Sequence, residues 1–403
     1  MTRTILTNAN LLDGENPARK GATVVIEGNR ITAVGPVPPR DEDTVIDLGG
    51  RTLMPGMVSG HYHAVYGRPD GKPGYTRDAD PVQHAYWALG NAQVALRAGV
   101  TSVVGAATFD TIDATLAAAI DAGDVLGPRF VPASRALSPT VKDDSGQIIS
   151  HVLQCDGADA FRRGTLLEIE RGAKVIKIFA GEGHGQFVGR DMTEAEMRAA
   201  VDSAHEHGVR TRAHVAGRDN VLRCATVGVD ILDHADGLDE ACIDAIAEAG
   251  AFMVPSIYLP WVATRSGGKG GSGYFDQPTL DHTCAMLARA IEAGVKLVPG
   301  DDYGAAELPH GSYAKELACY VEYAGISPLE VIRWATRNGG AMTGIADLGT
   351  IAPGKLADML VIDGDPSADI TLLSKPERLV AVIKDGQIVS GYLPARQAQS
   401  ALV

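Results

Sequence analysis

The chain has 403 residues, more than one average domain but within the range of one large barrel with a small appendage. Hydrophobic residues make up 45% of the sequence and glycine occurs 47 times, a composition that suits many short strands and helices separated by tight turns and does not suit a disordered chain. The formal net charge of -14 argues against nucleic-acid binding and against an anionic membrane surface.

Cysteine usage and the amino terminus bear on location. The five cysteines are scattered without CxxC spacing, and their number is odd, so reduced thiols are expected. The first residues, MTRTILTNANLLDG, lack an apolar leader, and no apolar run reaches the ~18 residues of a membrane span. The sequence therefore predicts a cytosolic protein without a membrane partner.

The two ends of the chain share a β-rich texture. Residues 1–54 contain short β-branched runs separated by Gly, Asn and Pro, and ADMLVIDG and VAVIKDGQIVSG repeat this pattern near the carboxyl end. Each end is too short for a stable domain of its own. We expect residues 1–54 and 346–403 to pair into one composite β-sandwich.

The middle of the chain, residues 55–345, alternates apolar strand-like runs with helical segments. Thr193 and Glu196 form a capping-box pattern at the start of one helix. The eight candidate strands are GMVSGHYH, VTSVVGAAT, RFVPASRAL, VIKIFA, VRTRAHV, DILDHA, FMVPSIY and KLVPGDD. This alternation predicts an α/β fold with a closed (β/α)8 TIM barrel. An open doubly wound sheet is the alternative, although no GxGxxG follows the first strand.

His61 and His63 stand two residues apart in the first strand. Side chains at that spacing share one face of a strand, so both can bind the same metal ion. An HxH pattern also arises by chance and carries little weight alone.

Polar residues stand at the ends of four further strands. They are Lys177, His214, His234 and the pair Asp301–Asp302. The carboxyl ends of barrel strands converge on one site, so separate structural explanations for all of them are improbable together. Lys177 has apolar neighbours, and a buried ammonium is costly. It is either a snorkelling surface lysine or a neutral amine that has taken up CO2 as a carbamate.

The chain resembles the amidohydrolase superfamily, in the branch of metal-dependent carboxypeptidases, prolidase-like dipeptidases and imidazolonepropionase-like enzymes. The resemblance covers most of the length and is carried by LMPGMVSGHYH, GAKVIKIFAGEG, TEAEMRAAVDSAHEHGVRTRAHV, GVDILDHADG, LVPGDDYG, ISPLEVIRWATRNGGAMTG and DLGTIAPGKLADMLVIDGDPSADI. It implies a barrel with a two-metal centre held by His61, His63, carboxylated Lys177, His214, His234 and Asp302.

The same resemblance implies a mechanism. Two divalent cations, zinc first with Mn, Co or Fe as alternatives, would hold a bridging hydroxide that attacks an amide carbonyl. Asp302 would be the general base and then the general acid, with Asp301 as the alternative because the double Asp leaves the register open by one. A peptide-like or N-acyl amide is the expected small-molecule substrate, and a homo-oligomer is expected by analogy alone.

Candidate substrate contacts are fewer and less specific. Tyr258 follows the seventh strand and is either a substrate contact or a rim packing residue; Tyr66 and His184 are further candidates. The glycine-rich segment at 265–273 is expected to form a mobile loop at the barrel mouth. The sequence departs from the branch where Ser59 replaces an aspartate, and where no histidine follows the third strand until His151.

Other functions remain open at this point. A mononuclear deaminase is disfavoured because Lys177 is present and VAGRDN, after His214, contains no Glu. The same centre could also cleave a cyclic amide, carbamate, urea or ester. A non-catalytic scaffold of the same fold would be expected to have lost ligands, and the pattern retains all six.

Overall fold

A computed structural model describes residues 3–71, 80–140, 152–181, 189–266, 277–305 and 308–394 of the chain. The chain begins with short strands separated by tight turns, as its β-branched runs predict. These strands are β1 (Arg3–Leu11), β2 (Arg19–Glu27), β3 (Arg30–Val34), β4 (Thr44–Asp47) and β5 (Thr52–Pro55).

Strands and helices alternate through the middle of the chain. They are β6 (Met57–Tyr62), α1 (Pro81–Arg97), β7 (Val100–Gly105), α2 (Ile112–Ala122), β8 (Arg129–Val131), β9 (Ala136–Ser138), β10 (Val152–Gln154), α3 (Ala158–Glu170), β11 (Val175–Phe179), α4 (Glu194–Glu206), β12 (Arg210–Ala216), α5 (Arg218–Val227), β13 (Ile231–Asp236), α6 (Glu240–Ala249), β14 (Phe252–Val254), α7 (Tyr258–Arg265), α8 (Gln277–Glu292), β15 (Lys296–Leu297), α9 (Tyr313–Glu322), α10 (Pro328–Arg333), a π-helical turn (Trp334–Asn338) and α11 (Gly339–Thr343). All eight predicted barrel strands are present, and the third is split into β8 and β9.

The parallel strands form a closed barrel. One sheet has the order β6-β7-β8 and the other has the order β10-β9-β11-β12-β13-β14-β15. Backbone hydrogen bonds join the two sheets on both sides: Lys174 N donates to Pro132 O (2.8 Å), and Gly60 N donates to Pro299 O (2.7 Å). The fold is therefore the predicted (β/α)8 barrel.

An apolar cluster fills part of the barrel interior. Inward side chains from several strands meet there, among them Val104, Val131, Val175, Ile231 and Phe252. This packing makes the barrel a solid core rather than a pore and leaves the carboxyl ends of the strands to carry function.

The amino end of α4 carries the predicted capping box. The Thr193 hydroxyl accepts a hydrogen bond from Glu196 N (3.3 Å), and the Glu196 carboxylate accepts one from Thr193 N (2.8 Å). The Arg190 guanidinium, against the effect of burial, lowers the pKa of Glu196 to about 2. Among the helices that the structure describes, none is long and apolar enough to cross a bilayer.

The carboxyl end of the chain returns to the β structure of the amino end. After β16 (Met359–Ile362) come two short 3-10 turns (Ile370–Ser374 and Pro376–Arg378), then β17 (Leu379–Lys384) and β18 (Gln387–Gly391). The eight strands of both ends form one sheet, in the order β18-β17-β16-β5-β1-β2-β3 with β4 on β1, around its own apolar cluster. The domain boundaries at 54 and 346 stay predictions.

Candidate metal centre

Three side chains from opposite ends of the barrel sequence meet at the carboxyl ends of the strands. His61 is the penultimate residue of β6, His63 follows the strand, and Asp302 lies beyond β15. The two Nε2 atoms lie 3.1 Å apart, and Asp302 Oδ1 is 3.0 Å from that of His61 and 3.3 Å from that of His63. Within the described ranges this is the one group of three or more His, Cys, Asp or Glu donors that converge in this way.

The surroundings of His63 fix its protonation. Its Nδ1 lies 3.0 Å from Ala107 O, and a carbonyl can only accept, so the proton is on Nδ1. Burial lowers the pKa of the His63 imidazole to about 4, so the ring is neutral near pH 7. The Nε2 lone pair therefore points at His61 and Asp302, as a metal ligand requires.

His214 and His234 extend the cluster across the barrel. The ring centroids of His61 and His234 are 5.1 Å apart, and those of His234 and His214 are 4.7 Å apart. His214 lies in β12 and His234 in β13, where His234 has a φ of 66°. The four predicted histidines thus form one row of rings.

Lys177 lies in β11 and is 2% exposed. Its Nζ is 2.5 Å from Asp233 Oδ2, and Asp233 Oδ1 is 3.2 Å from His61 Nδ1. Burial lowers the pKa of the Lys177 ammonium to about 8, although the charge of Asp233 acts in the opposite direction. The lysine therefore faces the cluster and is not a surface residue.

Sequence reasoning missed Asp233 and Arg212, which lie beneath the histidines. Arg212 stands two residues before His214, on the same face of β12, so its spacing was a usable signal. Asp233 is the neighbour of His234, and strict alternation would have placed it on the opposite face. The positive φ at His234 and the register shift between β12 and β13 break that alternation.

The two adjacent aspartates face different partners. Asp302 faces His61 and His63, whereas Asp301 is fully buried and accepts hydrogen bonds from Tyr258 N and Leu259 N, both 2.9 Å, at the start of α7. Burial and the nearby carboxylates raise the pKa of Asp301 well above its usual value. Of the two aspartates, Asp302 is therefore the one whose side chain contacts the histidine pair.

The predicted substrate contacts differ in how the structure places them. Tyr66 stacks on His63 with ring centroids 3.9 Å apart and planes 10° apart. Tyr258 begins α7, is 7% exposed, and its backbone N donates to Asp301. His184 and most of the glycine-rich segment at 265–273 lie outside the described residues, as does His151. Substrate-binding roles for these residues stay predictions.

The donor set suits a divalent cation. Zinc binds imidazole nitrogen and carboxylate oxygen at about 2.0–2.1 Å in tetrahedral geometry, which separates ligand atoms by roughly 3.3 Å. The three donor atoms of His61, His63 and Asp302 are 3.0–3.3 Å apart. Nitrogen and oxygen donors also fit Mn, Fe or Co, so the geometry leaves the metal open.

Comparison with known proteins gives a consistent set of relatives. Residues 52–389 match the Amidohydrolase family. Ochratoxinase from Aspergillus niger is 27% identical over 431 residues, covering 96% of this chain and 87% of that protein. Imidazolonepropionase from Salinispora arenicola is 27% identical, covering 89% of this chain and 90% of that protein. The crystal structure of a prolidase complexed with N-methylphosphonate-L-proline superposes with a TM-score of 0.84 at 27% identity, covering 97% of this chain and 100% of that one.

Proposed function

Because the chain belongs to the amidohydrolase family, we propose that it is a two-metal hydrolase of peptide-like or N-acyl amide bonds. The chain is an enzyme acting on amide-type C–N bonds, and the proposal adds its metal centre and mechanism. The observation that carries the proposal is the convergence of His61 Nε2, His63 Nε2 and Asp302 Oδ1 within 3.0–3.3 Å.

One ion would be held by His61, His63 and Asp302, and a second by His214 and His234, with Lys177 shared between them. Divalent cations at such a site polarise a carbonyl group and lower the pKa of bound water toward neutrality. The chain's own part is to present neutral imidazoles. Burial favours the neutral ring of His63, and the hydrogen bond from its Nδ1 to Ala107 O supports the tautomer that leaves Nε2 free to bind a cation.

Lys177 would join the centre as a carbamate. Burial lowers the pKa of Lys177 to about 8, which makes the free amine more accessible near neutral pH than it is for an exposed lysine. The Nζ lone pair bonds to the carbon of CO2, one C–O electron pair moves onto oxygen, and nitrogen gives up a proton to water. The product is an anionic oxygen donor, which a primary amine is not.

Asp302 would move the protons of the reaction. Its Oδ1 faces the two histidines, while its side chain remains 25% exposed and so reaches the open side of the centre. A carboxylate in that position can accept the proton of the attacking water and return it to the leaving nitrogen.

The substrate class rests on the relatives and on the rim of the site. A prolidase and a Xaa-Pro dipeptidase are among the similar structures, the latter at 26% identity and a TM-score of 0.84. Tyr66, which stacks on His63, and Tyr258, whose backbone N donates to Asp301, would be the aromatic residues that contact a substrate. A reducing, cytosolic location is also part of the proposal, and five buried, unpaired cysteines support it.

The test is a hydrolysis screen with metal analysis. Protein loaded with Zn, Mn or Co is incubated with Xaa-Pro dipeptides, N-acyl amino acids, cyclic imides and carbamates. Bound metal is quantified by mass spectrometry. Lys177→Ala is compared with Lys174→Ala, an exposed lysine three residues earlier. We expect about two ions per chain and activity in wild type and Lys174→Ala, and loss of both in Lys177→Ala. Full activity of Lys177→Ala at normal metal content would refute the bridging role.

A further inference from the structure

A buried ion pair lies directly beneath the candidate metal centre. Arg212 and Asp233 are both fully buried. Arg212 Nε donates to Asp233 Oδ2 (3.0 Å), and Arg212 Nη2 donates to Asp233 Oδ1. The same carboxylate contacts two predicted metal ligands, His61 through Oδ1 and Lys177 through Oδ2.

We propose that Asp233 is a positioning residue that orients one ligand of each metal ion, and that Arg212 holds Asp233 in place. The inference rests on the proposed function and extends it to two residues that bind no metal themselves. Ligands of both ion sites would then depend on the same carboxylate, that of Asp233.

The first part of the argument concerns His61. Its Nδ1 has two neighbours at 3.2 Å, the acceptor Asp233 Oδ1 and the donor Arg212 Nη2. A neutral imidazole that offers Nε2 to a cation carries its proton on Nδ1, and that proton needs an acceptor. Of these two neighbours only Asp233 can accept, so it fixes the ligating form of the ring.

The second part concerns Lys177. Its Nζ lies 2.5 Å from Asp233 Oδ2, within hydrogen-bond distance. A lysine carbamate keeps one N–H, and Asp233 Oδ2 is the acceptor already next to that nitrogen. The hydrogen bond would hold the nitrogen in place and leave the carbamate oxygens for the ions.

Arg212 completes the support. Its Nη1 donates to Val104 O (3.3 Å) and Gly105 O (2.7 Å) at the end of β7, which anchors the guanidinium to a strand of the other sheet, across the barrel interior. Its charge balances Asp233, which otherwise would be an uncompensated buried carboxylate beside a neutral imidazole and an anionic carbamate.

The experiment measures metal affinity by competition with a chelator, a readout independent of turnover. Asp233→Asn is nearly isosteric and removes the charge. Because it leaves Arg212 unpaired, the double variant Arg212→Gln/Asp233→Asn is measured beside it. The matched control is Asp43→Asn, which breaks the buried Arg3–Asp43 pair of the terminal sheet.

We expect a loss of about 10–100-fold in affinity for both ions in the two Asp233 variants, and unchanged affinity in Asp43→Asn. In zinc-loaded wild type, the imidazole nitrogen NMR spectrum should place the His61 proton on Nδ1. Wild-type affinity in a folded Asp233 variant, or a His61 Nδ1 without a proton, would overturn the inference. If wild type itself binds no metal, the proposed function fails instead.

Discussion

Replacing each of the two adjacent aspartates by asparagine separates their roles. Asp302→Asn changes the carboxylate that faces His61 and His63, and Asp301→Asn changes the one that holds the start of α7. Both substitutions keep the size of the side chain, so any difference between the variants comes from charge and hydrogen bonding.

The expected magnitudes follow from these contacts. Asp302→Asn removes the proton acceptor, and general-base catalysis contributes typically ~10²–10⁴-fold to rate, or about 3–5 kcal/mol of barrier. In Asp301→Asn the amide oxygen can still accept from Tyr258 N and Leu259 N, but the amide nitrogen faces Asp302 N, which now donates to Asp301 Oδ1. One lost hydrogen bond costs about 1–3 kcal/mol of unfolding free energy. The raised pKa of Asp301 means that the site tolerates a neutral side chain.

Three measurements distinguish the roles of the two aspartates: turnover of the substrate that the screen identifies, metal content, and urea unfolding. Asp302→Asn should keep most of its metal and its stability while losing turnover. Asp301→Asn should lose stability and keep at least a tenth of its turnover. An active Asp302→Asn together with an inactive but folded Asp301→Asn would refute the assignment of Asp302 as the proton acceptor and of Asp301 as the residue that holds α7.

Three further outcomes are expected. Gly300→Ala should destabilise the fold by about 1–3 kcal/mol in urea unfolding and weaken metal binding, because a Cβ there would lie 2.3 Å from His61 N; unchanged values would contradict this packing. Glu196→Gln should cost about 1–2 kcal/mol at pH 7. Since the Arg190 pair lowers the folded pKa of Glu196 from 4.5 to about 2, the difference from wild type should shrink as the pH falls through that window, and a constant difference would exclude the charge as its cause. Tyr258→Phe should raise KM about threefold to tenfold without changing thermal stability if the hydroxyl binds substrate, and an unchanged KM would assign the ring to packing.

The sequence alone was sufficient for the architecture. The β-branched runs and helical segments predicted all eight barrel strands, and the capping box at Thr193 and Glu196 is formed as expected. These features depend on local chemistry, namely side-chain periodicity and the hydrogen bonding of a helix end, so a single sequence carries them. Because the carboxyl ends of barrel strands converge, the sequence also predicted that His61, His63 and Lys177 belong to one site.

The tertiary structure decided what lies between those residues. The sequence could not choose between Asp301 and Asp302, because both lie beyond the end of β15 and the direction of each side chain depends on how that segment packs against His61, His63 and the start of α7. It also gave no reason to place Asp233 beside Lys177, 56 residues away. The positive φ at His234 breaks the alternation of side chains between the two faces of β13. Such a backbone conformation is set by packing against neighbouring strands rather than by local sequence.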